Sequence, residues 1–356
     1  MIRAVIHAQA LRANLLRLRA LAPASRLMAV VKANAYGHGL VPTALALADA
    51  DAFAVARIEE AVALRAAGVR SPIVLLEGVF DAVQLAEAAH LSLDLVVHQD
   101  EQLQLLAQWR GSHRFMVWLK VDTGMNRLGF RVERFASALQ SLQGLGEAVR
   151  EIRLLTHLAR ADEPAEAMNS LQVARFGALA QGLGLPCSIA NSAALLSNPD
   201  SHGDWVRPGL ALYGVSPLPG RSAADLGLVP AMTLQTQVIS LRQVPAGESV
   251  GYGATWRAAR DSRVAIIAAG YGDGIPWGLP QGTPVCVAQQ LLPLVGRVSM
   301  DMLAVDVTDA VQPVAVGTTV QLWGPQLPVE QLAARAGTLP YELLCGISQR
   351  VPLVLA

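Results

Sequence analysis

Only two of the 28 basic residues in this 356-residue chain are lysines, Lys32 and Lys120; the rest are arginines. Arginine supplies surface charge, ion pairs and anion binding as well as lysine does, but it holds its proton and cannot condense with a carbonyl. A primary amine is therefore indicated at both positions, with chance survival in an arginine-biased chain as the alternative. Lys32 stands in Val31-Lys32-Ala33-Asn34-Ala35-Tyr36-Gly37-His38-Gly39, after an apolar run and before a glycine-containing turn. Shielded from water there, a lysine offers a neutral amine to an aldehyde. Taken alone it could equally be a surface lysine whose stem lies along apolar neighbours.

Eight short apolar runs could position such groups: Leu27 to Val31, Ala52 to Ala56, Ile73 to Leu76, Leu93 to Val97, Phe115 to Val121, Ile152 to Thr156, Ser188 to Ala190 and Gly209 to Tyr213. Between them lie segments such as Ile58 to Arg65, where apolar residues recur at helical spacing. The alternation predicts parallel strands joined by helices, and eight such units match a (β/α)8 barrel, whose catalytic groups sit at the carboxyl ends of its strands. Lys32, Asp122, His157 and Asn191 fall at such ends. Later runs, Thr233 to Val244, Arg263 to Ala269 and Ala304 to Thr308, alternate and are separated by Gly and Pro, which predicts a second, mostly antiparallel β domain. The expected division is 1–228 for the barrel and 229–356 for the β domain.

Hydrophobic residues make up 53% and charged residues 16%, which excludes a disordered chain. Basic and acidic residues balance at 28 each, so the footprint of a nucleic-acid binder is missing. Two charge-free windows, Gly274 to Gly296 and Ala310 to Val329, are broken by prolines and read as loops and short strands rather than membrane spans. Arginines interrupt the apolar residues of the amino terminus, no secretory h-region is present, and a cytoplasmic protein is expected. Cys187, Cys286 and Cys345 show no C-x-x-C spacing, so neither a metal site nor a disulfide framework is expected.

The Lys32 segment resembles the pyridoxal-phosphate attachment motif of alanine racemases, and the resemblance extends over essentially the whole chain. Its landmarks follow in order: Leu119-Lys120-Val121-Asp122-Thr123-Gly124-Met125-Asn126-Arg127-Leu128-Gly129, Thr156-His157-Leu158-Ala159-Arg160-Ala161-Asp162, Ala190-Asn191-Ser192-Ala193-Ala194 and Val206-Arg207-Pro208-Gly209-Leu210. The second domain matches at Val250-Gly251-Tyr252-Gly253-Ala254-Thr255, Arg297-Val298-Ser299-Met300-Asp301-Met302 and Pro340-Tyr341-Glu342-Leu343-Leu344-Cys345. Four of the five tyrosines, Tyr36, Tyr252, Tyr271 and Tyr341, lie in family motifs. The chain departs from the pattern at Gly272 and Trp277, where the family more often has Ala and Arg.

The resemblance implies a homodimer that interconverts L- and D-alanine with pyridoxal phosphate, which lends acidity to the substrate Cα proton. The two enantiomers present that proton on opposite faces, so two bases are needed. By resemblance Lys32 holds the cofactor and serves the D-face, and Tyr252 of the partner subunit serves the L-face. A phenol has an ordinary pKa of about 10, and the family's chain through His157 to Arg207 would favour its ionised form. Arg207 would donate to the cofactor's ring nitrogen. Tyr36, Ser192 and Tyr341 hydroxyls and N–H groups at Gly209 and Leu210 would hold the phosphate, beside Asn191. Arg127 would face the cofactor's phenolic oxygen and the substrate carboxylate, which the backbone of Met300 from the partner subunit also touches. Lys120 would be carbamylated and brace Arg127. Ser192 also reads as an ordinary helix N-cap.

Three other readings stand beside this one. A pyridoxal-phosphate carrier would lack the second domain and its Tyr252, and decarboxylases of basic amino acids would carry acidic and cysteine-bearing segments that are not seen here. A racemase for serine or a broader set of amino acids shares all the motifs. The motifs do not separate D-alanine supply for the cell wall from alanine breakdown.

Overall fold

A computed structural model describes residues 1–356 of the chain. Eight parallel strands close into a barrel: Arg26–Val30, Ala52–Val55, Ile73–Leu75, Asp94–Val97, Phe115–Asp122, Val149–Leu155, Cys187–Asn191 and Trp205–Arg207. Closure comes from the pairing of Asp94–Val97 with Phe115–Asp122 and of Trp205–Arg207 with Arg26–Val30. The strands are buried almost throughout, as expected when helices cover the outside of a parallel sheet.

Seven of the eight expected runs contain barrel strands, and one does not. Gly209 to Tyr213 is not the eighth strand; Trp205–Arg207 takes that place and Leu210–Tyr213 coils into a buried 3-10 turn. Pro208 has no N–H to give a ladder, so the strand stops before it. A short apolar run reads alike for a strand and for a buried turn.

Eight further strands form a second sheet in the order Ser262–Ile267, Leu303–Asp306, Gln290–Val295, Pro284–Val287, Thr319–Trp323, Met232–Val244, Arg3–Ile6, Leu353–Leu355. Met232–Val244 also pairs with Ser262–Ile267 and closes six of these strands into a ring. Neighbours are antiparallel except for Arg3–Ile6 with Leu353–Leu355. Sequence reading missed these two strands, which are too short to show alternation. They place the first strand of the chain in the second sheet and so cross the expected 1–228 division. The charge-free windows hold loops and the strands Pro284–Val287, Gln290–Val295 and Thr319–Trp323, and no helix is long and apolar enough to cross a membrane.

One cluster of 99 buried apolar residues runs through both sheets, so the two halves share a core. The buried amide of Asn14, on helix Ala8–Leu21, donates to Leu212 O and Val229 O and accepts from Val229 N–H. Helix Pro340–Cys345 of the second half reaches the barrel mouth beside Gly37. That glycine has φ 79°, and a Cβ there would sit 2.0 Å from Leu344 O. Gly37→Ala should therefore destabilise the fold by at least about 2 kcal/mol through overpacking and a left-handed backbone. Denaturant unfolding checks this; an unchanged midpoint would show that the helix yields freely.

Candidate active site

The turn after the first barrel strand has an uncommon backbone. Ala33, Asn34, Ala35 and Tyr36 all have φ between 51° and 53°, a left-handed conformation that costs roughly 1–2 kcal/mol for each L-residue. Such a run persists only where its surroundings fix it. Asn34 Oδ1 accepts from Leu40 N–H at 2.8 Å, Tyr36 O lies 3.0 Å from His38 Nδ1, and Gly37 ends the turn. The turn directs Lys32 and Tyr36 into the barrel mouth.

There they line a cavity of about 470 Å³ with Lys120, Arg127, His157, Asn191, Ser192, Arg207, Gly209, Leu210 and Tyr341. Every residue that the sequence assigned to a cofactor is thus in one place. Glu77 is the only carboxylate in the lining, against the four cations Lys32, Lys120, Arg127 and Arg207. None of those cations takes part in an ion pair within the chain.

Arg207 is 4% exposed and fixed by the barrel itself. It donates to Ser188 Oγ at 2.5 Å, Thr156 O at 2.7 Å and Ile189 O at 3.2 Å, and its Nη2 lies 3.4 Å from His157 Nδ1. Burial lowers its pKa to about 10, so it remains a cation at neutral pH. Burial, and then the neighbouring Arg207, hold the His157 imidazole well below its ordinary value. His157 is therefore neutral and can accept a hydrogen bond from the guanidinium.

Opposite, the hydroxyls form a cradle. Tyr36 and Tyr341 have ring centroids 5.9 Å apart. Burial raises both phenols, Tyr341 to about 12, so each keeps its proton to donate. Ser192 Oγ accepts from Gly209 N–H at 2.8 Å and Ala211 N–H at 3.2 Å. Leu210 opens the turn Leu210–Tyr213, where the first N–H groups have no intrahelical acceptor. A Cβ on Gly209 would meet the Tyr36 hydroxyl at 2.5 Å, so only glycine admits that hydroxyl. The N-cap of helix Ser192–Ser197 is Asn191, whose Oδ1 accepts from Ala194 N–H at 3.0 Å. This corrects the expectation for Ser192, which starts the helix and is free to face the cradle.

Lys120 is 8% exposed near the end of strand Phe115–Asp122. Burial, then Arg207, Arg127 and Lys32, lower its pKa to about 8, opposed by Asp122.

Tyr252 and Met300 do not line this cavity. Tyr252 sits in the turn Tyr252–Ala254, next to the paired segments Ser249–Val250 and Trp256–Arg257, and is 72% exposed. Met300 is 53% exposed; its carbonyl accepts from Gly272 N–H at 2.9 Å. A Cβ on Gly272 would lie 3.0 Å from Met300 O and 2.9 Å from an Arg350 nitrogen, the closer of which a small shift of the half-exposed Arg350 side chain would relieve. Trp277 carries the Arg297 guanidinium 5.7 Å above its ring. Sequence reading missed Glu77, although Leu75-Leu76-Glu77-Gly78 follows strand Ile73–Leu75 and the strand-end rule would have flagged it.

Residues 6–217 match the family model "Alanine racemase, N-terminal domain" and residues 231–355 match "Alanine racemase, C-terminal domain". The chain belongs to the alanine racemase family. The alanine racemase of Shewanella amazonensis is 49% identical over 360 residues, covering 99% of this chain and 98% of that one. A biosynthetic alanine racemase from Pseudomonas aeruginosa superposes with TM-score 0.95 at 46% identity, covering 100% of this chain and 99% of that one. An alanine racemase from Bartonella henselae with covalently bound pyridoxal phosphate superposes with TM-score 0.89 at 31% identity, covering 100% and 99%. The chain is thus an isomerase of the amino-acid racemase type, as its motifs imply.

Proposed function

We propose that this chain interconverts L- and D-alanine as a homodimer, holding pyridoxal phosphate on Lys32 and using Lys32 and the Tyr252 of a partner subunit as its two bases. The observation that carries the reading is the cavity: an amine, three further cations and protonated hydroxyls converge there with a single carboxylate. Such a donor-rich, acceptor-poor cleft suits an anion bearing a phosphate, a phenolic oxygen and an aldehyde. When bound, the cofactor supplies a sink for the electrons left at Cα. The relative with covalently bound pyridoxal phosphate supports the same assignment.

The residues then divide the work. Tyr36, Tyr341 and Ser192 hydroxyls with the N–H groups around Gly209 and Leu210 would grip the phosphate, and Asn191 caps the helix that Ser192 begins. Arg207, anchored on three barrel oxygens, would donate to the cofactor's ring nitrogen and, with a pKa that burial lowers only to about 10, would keep its proton there. Arg207 would thereby keep the ring a weaker electron sink and disfavour reprotonation at the wrong carbon. Arg127 orients the substrate carboxylate through charge-assisted bonds, with the Met300 backbone of the partner. Tyr252 and Met300 stand exposed on the half after residue 228, as residues offered to a second copy would. Three unpaired cysteines accord with a cytoplasmic setting, and the likeness to a biosynthetic enzyme favours D-alanine supply.

Lys120 enters this scheme as a carbamate. With a pKa of about 8, its amine is substantially neutral in mildly alkaline solution. Neutral Nζ can bond to carbon dioxide, lose one proton and become an anion among Arg127, Arg207 and Lys32. Occupancy should fall as pH drops below about 8, where protonation of the amine competes. A high-resolution map with planar density on Nζ at alkaline pH is the expected result; a bare ammonium there refutes it.

Assaying both enantiomers of the common amino acids with purified protein tests the whole reading. Alanine should be turned over fastest in both directions; preference for serine would move the substrate assignment, and no racemisation at all would sink it.

A further inference from the structure

We infer that Glu60 is a positioning residue for Lys32, bridging the carboxyl ends of the first two barrel strands; this rests on Lys32 as the cofactor lysine. The ladder between Arg26–Val30 and Ala52–Val55 continues to the bond from Val31 N–H to Ala54 O at 2.9 Å and goes no further. Beyond it the chain turns left-handed at Ala33. The side chain of Glu60, on helix Ile58–Ala66, stands between the two backbones at this point. Its Oε1 accepts from Ala33 N–H at 2.7 Å, and its Oε2 accepts from Ala56 N–H at 2.9 Å and Arg57 N–H at 3.1 Å. One carboxylate thus ties the residue after Lys32 to the end of the second strand.

Three donors converge on one side chain, and only an acceptor at both ends satisfies them. A carboxylate meets that demand and a carboxamide does not, because its NH2 group must face either Ala33 N–H or the pair at Ala56 and Arg57. Capping its own helix makes a weaker demand, since Gln serves in a capping box as well as Glu. The two roles therefore separate at one substitution. If Glu60 only caps, Glu60→Gln is silent; if it bridges, the left-handed turn loses its tie and Lys32 its fixed reach.

The test titrates the cofactor-free chain with pyridoxal phosphate, follows the visible absorbance of the attached cofactor, then reduces with borohydride and maps the label. Glu60→Gln should weaken attachment at Lys32 by about tenfold or more, the scale of losing a hydrogen bond to a charged group. Glu60→Asp, too short to span both backbones, should shift it in the same direction. Asp81→Ala is the control: Asp81 caps helix Ala82–His90 through Gln84 N–H at 2.8 Å and touches no part of the Lys32 turn. It should lower the unfolding midpoint and leave attachment unchanged. Attachment by Glu60→Gln within about twofold of the parent, or an equal loss in Asp81→Ala, would overturn the inference. Parent protein that carries no label on Lys32 would overturn the cofactor-lysine reading, and this one with it.

Discussion

Lys32→Ala should abolish racemisation, lowering kcat/KM by at least about 10⁴-fold, the upper end of what loss of a positioned base alone costs. The loss is large because one nitrogen is assigned two tasks, anchoring the cofactor and moving the D-face proton. Lys32→Arg should fail nearly as badly. It keeps a cation at the barrel mouth, so the charge of the cavity is preserved, but a guanidinium neither condenses with an aldehyde nor gives up its proton. The pair of variants therefore distinguishes an amine from a mere positive charge. Borohydride reduction of the parent, with peptide mapping, should place the label on Lys32. Label on Lys120, or activity of Lys32→Arg within about tenfold of the parent, would show that the assignment is wrong.

Much of this was legible from residue chemistry. The rarity of lysine marked Lys32 and Lys120, and both line the cavity. The strand-end rule picked out Lys32, His157 and Asn191, which line the cavity, and Asp122, which does not; it works because a parallel barrel turns the carboxyl ends of all its strands toward one opening. Other features depend on contacts far apart in sequence. Of Ala33 to Tyr36 only Asn34 leans toward a left-handed backbone, so a run of four is not announced by residue type; beside its local bonds it is set by groups such as Glu60 and Leu344 that close on it from elsewhere. The exchange of roles between Asn191 and Ser192 has the same origin. Either side chain can cap a helix, and the choice falls to the N–H groups of Gly209 and Ala211, which claim the serine hydroxyl. The eighth strand was misplaced because burial of Leu210 to Tyr213 is complete in a turn as well as in a strand.

Tyr252→Phe should separate the two half-reactions. The substitution removes one hydroxyl from a residue outside the cavity of its own chain, so Lys32, the phosphate cradle and cofactor attachment should be untouched. Exchange of the D-alanine Cα proton with solvent deuterium should continue, since Lys32 works from that face without the phenol. Conversion to the other enantiomer should fall by at least about 10²-fold, as for loss of a positioned general acid or base. Mixing Tyr252→Phe with Lys32→Ala then tests whether the site is shared. In a two-fold dimer each cavity meets the same partner surface, so a mixed dimer has one site with both substitutions and one with an intact Lys32 facing an intact Tyr252. Activity should therefore return in part once subunits exchange. A Tyr252 variant that racemises almost normally would assign the L-face to another group. Exchange proven by mass, with no recovery of activity, would mean that the exposed tyrosine serves no neighbour's cavity and that the two bases do not come from two chains.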